Sequence, residues 1–281
     1  MTQLVAVLGV GVVPTDAPVV TADDLGINRG DGVFDAARVV SDADGVRVDL
    51  LDEHLARFGR SHEKMAMAAP DLDAWRALVD EAVAAWDVPG EAVLKLIATR
   101  GLEHAPAAPG ASFLTITASD TAPCPPLRVI TLGTGRASDA FADAPWLLGG
   151  VKSLSYGVNV AVAREARRRG VDDVLFTTTD GYCLEGPRSG LLALVDGVYV
   201  TTPVEGTGIL DSVTIGALRA RLAEQGITMV DRLLTPDGLV GAEAAWLISA
   251  GRGVCDIVAL DGKPLRTDAE ASALLRGLAG F

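Results

Sequence analysis

Three prolines within four positions, at 123, 125 and 126, divide this 281-residue chain. Each proline fixes its own φ and lacks an N–H. The run Asp120-Thr121-Ala122-Pro123-Cys124-Pro125-Pro126 therefore suits neither a helix nor a central strand. It reads as a stiff linker, residues 120–126, between a smaller domain of residues 1–119 and a larger one of residues 127–281. A chain of this length is long for one core and comfortable for two. Nearly half of it is apolar (49%), spread as Ala, Val and Leu among charges, and no uninterrupted apolar run reaches the length needed to cross a bilayer. Residues 1–13 are apolar, but no Lys or Arg precedes them and no small-residue cleavage pattern follows. They read as a first strand rather than a signal peptide.

In the first half, β-rich runs at 33–40 and 46–50 flank a polar break ending in Asp44-Gly45, which predicts a hairpin. Leu51, Leu55, Phe58, Met65 and Ala68 fall at helical spacing and predict a helix over 52–68; a second follows over 71–86, ended by Pro89-Gly90. Strands at 92–99 and 112–119 are joined by a Gly/Pro-rich loop, 101–110. The half reads β-β-α-α-β-β, an α+β domain with antiparallel strands. In the second half, strands are expected at 127–131, 173–178 and 182–184, 191–195 and 198–201, 244–249 and 254–260, with Asp180-Gly181, Asp196-Gly197 and Asp261-Gly262 as turns. Helices are expected at 154–169, 212–225 and 269–278. The basic run Arg167-Arg168-Arg169 complements a helix C-terminus and needs no functional reading.

A net charge of −13 repels nucleic-acid phosphate, so nucleic acid is not expected as a partner, nor is a membrane. Small anionic ligands stay open, since a few local arginines reverse the field inside a cleft. The three cysteines, Cys124, Cys183 and Cys255, lie far apart in the chain and, with three histidines, form no metal-ligand spacing. They read as thiols of a cytoplasmic protein.

Taken singly, the polar residues that stand out have ordinary explanations. Lys152 lies between a Gly-Gly-Val segment and a predicted helix, and a surface lysine is the usual reading. A cation at that helix end opposes the dipole, however. Glu185 closes the second strand of a hairpin before Gly186-Pro187, where a carboxylate is ordinarily solvated. Gly206-Thr207-Gly208 feeds a helix beginning near Ser212-Val213-Thr214; its free N–H groups make an anion site, or simply a capped helix. Arg57 sits on the first long helix, by default on a solvated face.

Together, and in this order, these residues resemble the fold-type IV enzymes that use pyridoxal 5′-phosphate (PLP). That family includes branched-chain aminotransferases, D-amino acid aminotransferases and 4-amino-4-deoxychorismate lyases. The resemblance runs through Asn28-Arg29-Gly30-Asp31-Gly32-Val33-Phe34-Asp35, then Thr99-Arg100-Gly101, then Lys152 and Glu185, 33 residues apart. It continues through Gly208-Ile209-Leu210 with Val213-Thr214, and Trp246-Leu247-Ile248-Ser249-Ala250-Gly251-Arg252-Gly253. It implies a two-domain α+β fold of the D-amino acid aminotransferase type, with a β-rich C-terminal domain, and a homodimer. By that resemblance Lys152 is the Schiff-base lysine, Glu185 faces the pyridine nitrogen, and Arg57, Val213 and Thr214 hold the phosphate. Ala250 lies by the phosphate, and Arg29, Phe34, Arg100, Arg188 and Gly251 line the substrate side. Four positions depart from the family pattern. Arg188 stands where a small residue is usual and Gly190 where an Asn is; Ala250 and Gly251 replace the frequent Ser or Thr.

The chemistry agrees with those roles. An amine must be neutral to attack an aldehyde, and the same amine then moves protons as base and acid. A carboxylate beside the ring nitrogen favours the pyridinium and makes the ring a better electron sink. The motif style implies the lyase reaction, 4-amino-4-deoxychorismate to 4-aminobenzoate and pyruvate, a step toward folate. Transamination of a D- or branched-chain amino acid needs the same cofactor site and is the alternative; a non-catalytic PLP-binding member is the third.

Overall fold

The computed structural model describes residues 2–105, 108–119 and 123–281. The first part of the expected linker, 120–122, and residues 106–107 of the 101–110 loop lie outside the described residues. The chain forms two units: Met1–Ala122 with Val151–Tyr156, and Pro123–Gly150 with Gly157–Phe281. The strip Val151–Tyr156 interrupts the second unit in sequence and packs with the first.

The first unit contains β1 (Gln3–Val7), β2 (Gly11–Val13), α1 (Leu25–Asn28), β3 (Gly32–Asp42), β4 (Gly45–Val48), α2 (Leu51–Lys64), α3 (Leu72–Ala84), β5 (Gly90–Thr99) and β6 (Ser112–Ala118). The strands form one antiparallel sheet in the order β2-β1-β6-β5-β3-β4. Leu94 and Leu96 of β5, Leu114 and Ile116 of β6, and Leu4 of β1 share a core with Leu55 and Phe58 of α2 and Trp75 and Leu78 of α3. Residue spacings of two along each strand and three or four along each helix put them all on the inner faces. Phe58 and Trp75 meet edge to face at 5.2 Å, locking α2 to α3. Asp71 caps α3 by accepting from the Ala74 amide. The expected first strand is a hairpin, because Gly9 at φ 79° turns the chain back. The first long helix stops at Lys64 instead of 68. Ala66 adopts φ 49°, and the carbonyls of Met65 and Ala66 are taken by Arg100.

The second unit contains β7 (Leu127–Gly133), a 3₁₀ turn (Pro145–Leu147), α4 (Gly157–Arg168), β8 (Asp173–Thr177), β9 (Gly190–Val195), β10 (Val198–Thr201), α5 (Val213–Glu224), β11 (Met229–Asp231), α6 (Pro236–Gly241), β12 (Ala244–Ser249), β13 (Gly253–Leu260), β14 (Lys263–Pro264) and α7 (Ala269–Ala279). Its sheet runs β11-β10-β9-β12-β13-β7-β8, with β14 paired to β13. Parallel pairing occurs at β7–β8, β7–β13 and β10–β11. The central strands β9 and β12 are apolar at every position but Ser249 because both faces are covered. Leu191 and Ala193 of β9 and Ala245 and Leu247 of β12 join one core. Leu192 of β9 and Ala244, Trp246 and Ile248 of β12 join the other, beneath α5 and α7. Trp246 satisfies its buried indole N–H on Asp256 and Ser272, 2.9 Å from each.

The hairpins at Asp180-Gly181, Asp196-Gly197 and Asp261-Gly262 form as their turn chemistry dictates. The short β11 and α6, which carry little periodicity, are additions to the sequence reading. The helix expected over 154–169 begins only at Gly157. Residues 152–154 are instead taken up by β3. Phe34 N–H donates to the Lys152 carbonyl and Leu154 N–H to the Gly32 carbonyl, both at 2.9 Å, and Val33 bridges Ser153. Tertiary pairing overrides local helix propensity there.

The cysteines require a correction. Cys124 and Cys255, separated by 131 residues in sequence, form a disulfide, while Cys183 is free and buried. Sequence distance was no bar, because β7 follows Cys124 closely and lies beside β13, which carries Cys255. Burial, with a smaller contribution from Asp261, pushes the Cys183 thiol up to about 12, so it is inert at neutral pH. Closing so long a loop restricts the unfolded chain. Reduction, or Cys124→Ser, is expected to lower unfolding free energy by about 2–4 kcal/mol, read as a lower denaturant midpoint, with linked peptides seen only without reductant.

Candidate functional site

In the first unit, alternation along β3 sends Phe34 and Asp35 to opposite faces. Phe34 meets the strip Val151–Tyr156: the Lys152 Nζ lies 4.7 Å from its ring centroid, and the Tyr156 ring packs on it edge to face at 5.4 Å. The approach is close because Gly32 has no side chain. A Cβ there would come within 2.6 Å of the Ala98 carbonyl and 2.7 Å of Leu154. Lys152 is half-buried, and its own amide donates to the Ser61 hydroxyl of α2 at 3.4 Å. Ser61 follows Arg57 by four residues, so both share one face of that helix.

Asp35, on the opposite face of β3, is fully buried at 0% exposure, with His54 and Arg57 of α2 at 2% and 6%. Arg57 grips it with a two-point fork: Nε donates to Oδ2 at 2.8 Å and Nη2 to Oδ1 at 2.7 Å. His54 Nδ1 lies 2.7 Å from the same Oδ1. With the carboxylate ionised, that nitrogen is the donor. Burial alone pushes the Asp35 carboxyl up, but the hydrogen bonds and charges of Arg57 and His54 outweigh it and hold the group well below the usual carboxylate range. Sequence reasoning passed over Asp35 and His54. The available signals were a carboxylate inside an otherwise apolar strand run, and a His and Arg three residues apart on the facing helix.

In the second unit, both Glu185 carboxylate oxygens lie 3.3 Å from the Leu210 amide, which donates to them. Leu210 stands two residues before Ser212, the N-cap of α5, whose hydroxyl accepts from the Ile215 amide at 3.3 Å. The Gly216 amide closes on the Ser212 carbonyl. Helix geometry leaves the amides of Val213 and Thr214 without an intrahelical acceptor, and Thr214 is buried. Close against this helix start runs Gly190. A Cβ on it would meet the Ile215 side chain at 2.5 Å and Ser212 Cβ at 3.6 Å. This is the physical reason glycine stands at that position. Ala250 and Gly251 occupy the turn between β12 and β13, and the next residue, Arg252, bonds Asp173 at 2.6 Å and Ser189 at 2.7 Å. Asn159 of α4 donates to the Pro187 carbonyl at 2.6 Å and steadies the bend after Glu185.

The structure thus groups Lys152, Phe34 and Arg57 in one unit, and Glu185, Val213, Thr214, Ala250 and Gly251 in the other. The arginines differ. Arg29 is exposed and pairs with Glu103 at 2.8 Å. Arg188 is exposed. Arg100 has Nε on Asp31 and its two terminal nitrogens on the Met65 and Ala66 carbonyls, so it clamps the end of α2 to β5. Among the described residues no group of His, Cys, Asp or Glu suited to hold a metal occurs. Nor is any helix long and apolar enough to cross a membrane.

Two backbone amides and a buried hydroxyl at the start of a helix suit a phosphate group, and a carboxylate fixed by the same loop suits a protonated ring nitrogen. The donor set therefore fits PLP. Comparison with known proteins agrees. The amino-transferase class IV family matches residues 32–260. The bifunctional aminodeoxychorismate lyase / D-amino acid transaminase of Mycobacterium tuberculosis is 36% identical over 265 residues, 88% of each chain. A fold IV transaminase from Curtobacterium pusillum superimposes with a TM-score of 0.90, 37% identity and 99% of each chain covered. A hypothetical aminotransferase from M. tuberculosis, in its alpha-ketoglutarate and PMP bound form, gives 0.89 and 33% identity, covering 99% of this chain and 97% of that one.

The depressed Asp35 pKa fixes a sign. Its stabilising contribution is complete above its unfolded value, 3.8, and is lost as pH falls through the lower folded value. Asp35→Asn leaves Arg57 buried without its counter-charge and is expected to destabilise the protein by about 3 kcal/mol at pH 7. In urea titrations at several pH values, the gap between wild type and variant should narrow as the solution is acidified below 3.8.

Proposed function

The chain belongs to the class IV aminotransferase family of PLP-dependent enzymes, and from that premise we propose that it cleaves 4-amino-4-deoxychorismate to 4-aminobenzoate and pyruvate. The observation that carries the reading is its 36% identity, over 88% of the chain, to a relative named for that lyase activity. The hydrogen bond from Leu210 to Glu185 supports the cofactor site that the lyase and transaminase readings share, because it ties the acid to the loop that leads into α5.

In this proposal Lys152 is the covalent attachment point, Glu185 takes the ring nitrogen, and Arg57 with the Val213 and Thr214 amides takes the phosphate, beside Ala250. PLP supplies an aldehyde that accepts the substrate amine and a ring that accepts an electron pair. With the cofactor held, the Lys152 amine would act as the base that takes the proton from the substrate ring carbon. The carbon–oxygen bond to the enolpyruvyl group then breaks, the ring becomes aromatic, and the enolpyruvate takes up a proton to become pyruvate. Phe34 and Tyr156 screen the amine from water. Arg29, Arg188 and the Gly251 turn are assigned to the substrate's carboxylates. Arg100 is left out of that set, since its nitrogens already hold Asp31 and the end of α2.

Transamination is the second reading, favoured by the fold IV transaminase at 37% identity and by the relative's double name. It uses the same lysine, acid and cradle. The proposal also takes the enzyme to be a cytoplasmic homodimer. Exposed Trp146 (74%) and Val158 (67%) supply apolar surface for a second copy. A cytoplasmic address keeps the Cys124–Cys255 pair within reach of cellular reductants.

Purified protein should show a visible cofactor band that is absent from Lys152→Ala, and that variant should lose at least about 10²–10⁴-fold in turnover. Incubation with 4-amino-4-deoxychorismate alone should release pyruvate steadily. If turnover instead needs a 2-oxo acid acceptor and yields a new amino acid from D- or L-amino acid donors, the lyase reading is wrong and the transaminase reading stands.

A further inference from the structure

Asp35 and His54, buried against Arg57, have no role assigned so far. Salt bridges this deep repay their desolvation only with good geometry, and replacing one by apolar groups is often harmless to stability. A fork-shaped Arg–carboxylate pair with a third donor on the same oxygen fixes the guanidinium plane more tightly than packing alone does. Asp35 comes from β3, the strand that also pairs with the Lys152 strip through Val33, Phe34 and Gly32. One rigid strand therefore sets the position of the lysine on one side and the plane of Arg57 on the other.

We infer that Asp35, buttressed by His54, is a positioning residue that aims Arg57 at the phosphate of the cofactor, so that this unit selects the phosphorylated form of the vitamin over the unphosphorylated one. This rests on the proposed role of Arg57 at the phosphate. Asp35 touches neither cofactor nor substrate in this scheme. It acts by holding the Nε–Nη2 edge of Arg57 so that the guanidinium cannot rotate, and an already oriented donor loses less freedom on binding an anion.

The test uses the full chain freed of cofactor and titrated separately with PLP and with pyridoxal, which has the aldehyde and ring but no phosphate. The visible band of bound ligand gives both affinities, and their ratio is the readout. A merely structural role weakens both ligands alike and leaves the ratio unmoved. Asp35→Asn is expected to lower the ratio by about tenfold, with pyridoxal affinity within about twofold of wild type. His54→Ala keeps the ion pair and removes only its buttress, and should lower the ratio by about threefold. If Asp35→Asn does not fold, His54→Ala decides the matter alone. An unchanged ratio in the folded variants overturns the inference, as does an equal loss for both ligands. A wild-type protein with no visible band, or a band that survives Lys152→Ala, instead overturns the proposed cofactor role of Lys152, and is thereby distinguishable.

Discussion

The backbone pairing of β3 with the Lys152 strip is the interaction on which the placement of Lys152 depends. Two hydrogen bonds, Phe34 to the Lys152 carbonyl and Leu154 to the Gly32 carbonyl, fix the strip in extended form. A lysine side chain has four rotatable carbons and loses much freedom when held, so a rigid base matters more for it than for a shorter residue. Gly32 makes the pairing possible, since any larger residue would strike the Ala98 carbonyl and Leu154. Phe34 and Asp35, consecutive on one strand, then divide the work. The ring turns to the amine while the carboxylate turns to the helix.

The second unit solves a different problem with the backbone rather than with side chains. The start of α5 leaves backbone amides without intrahelical acceptors, at no cost in side-chain entropy, and we propose it as the phosphate cradle. Ser212 caps the helix by accepting from the Ile215 amide, which leaves the Val213 and Thr214 amides without an intrahelical acceptor. The Leu210 amide, just upstream, serves Glu185. The acid, between β8 and β9, is consequently tied by hydrogen bonds to the loop that leads into α5. The substitution of Gly190 for a bulkier polar residue brings β9 against this helix start, where Ile215 fills the space a side chain would need.

Much of this was legible in the sequence because the signals were local. Asp196-Gly197 announced its hairpin, Ser212 its cap, and the order Arg57, Lys152, Glu185, Val213-Thr214 its family. The failures share one cause, which is that distant residues decided the outcome. The helix expected from 154 starts at 157 because β3 claims the backbone before it. The first long helix ends at Lys64 because Ala66 turns to positive φ just beyond it, where Arg100 takes the Met65 and Ala66 carbonyls. Cys124 and Cys255 pair because β7 and β13 are neighbours, which no spacing rule reveals. Asp35 and His54 were passed over because a buried carboxylate in a strand makes sense only once the helix facing it is known.

The passage of Val151–Tyr156 through the first unit has a genetic corollary. The polypeptide changes unit at 122–123, again at 150–151 and a third time at 156–157. No single scission of the gene product can therefore release both halves whole. A fragment ended at the prolines would lack the very strip that bears the amine, and the remainder would carry that strip with no β3 to receive it.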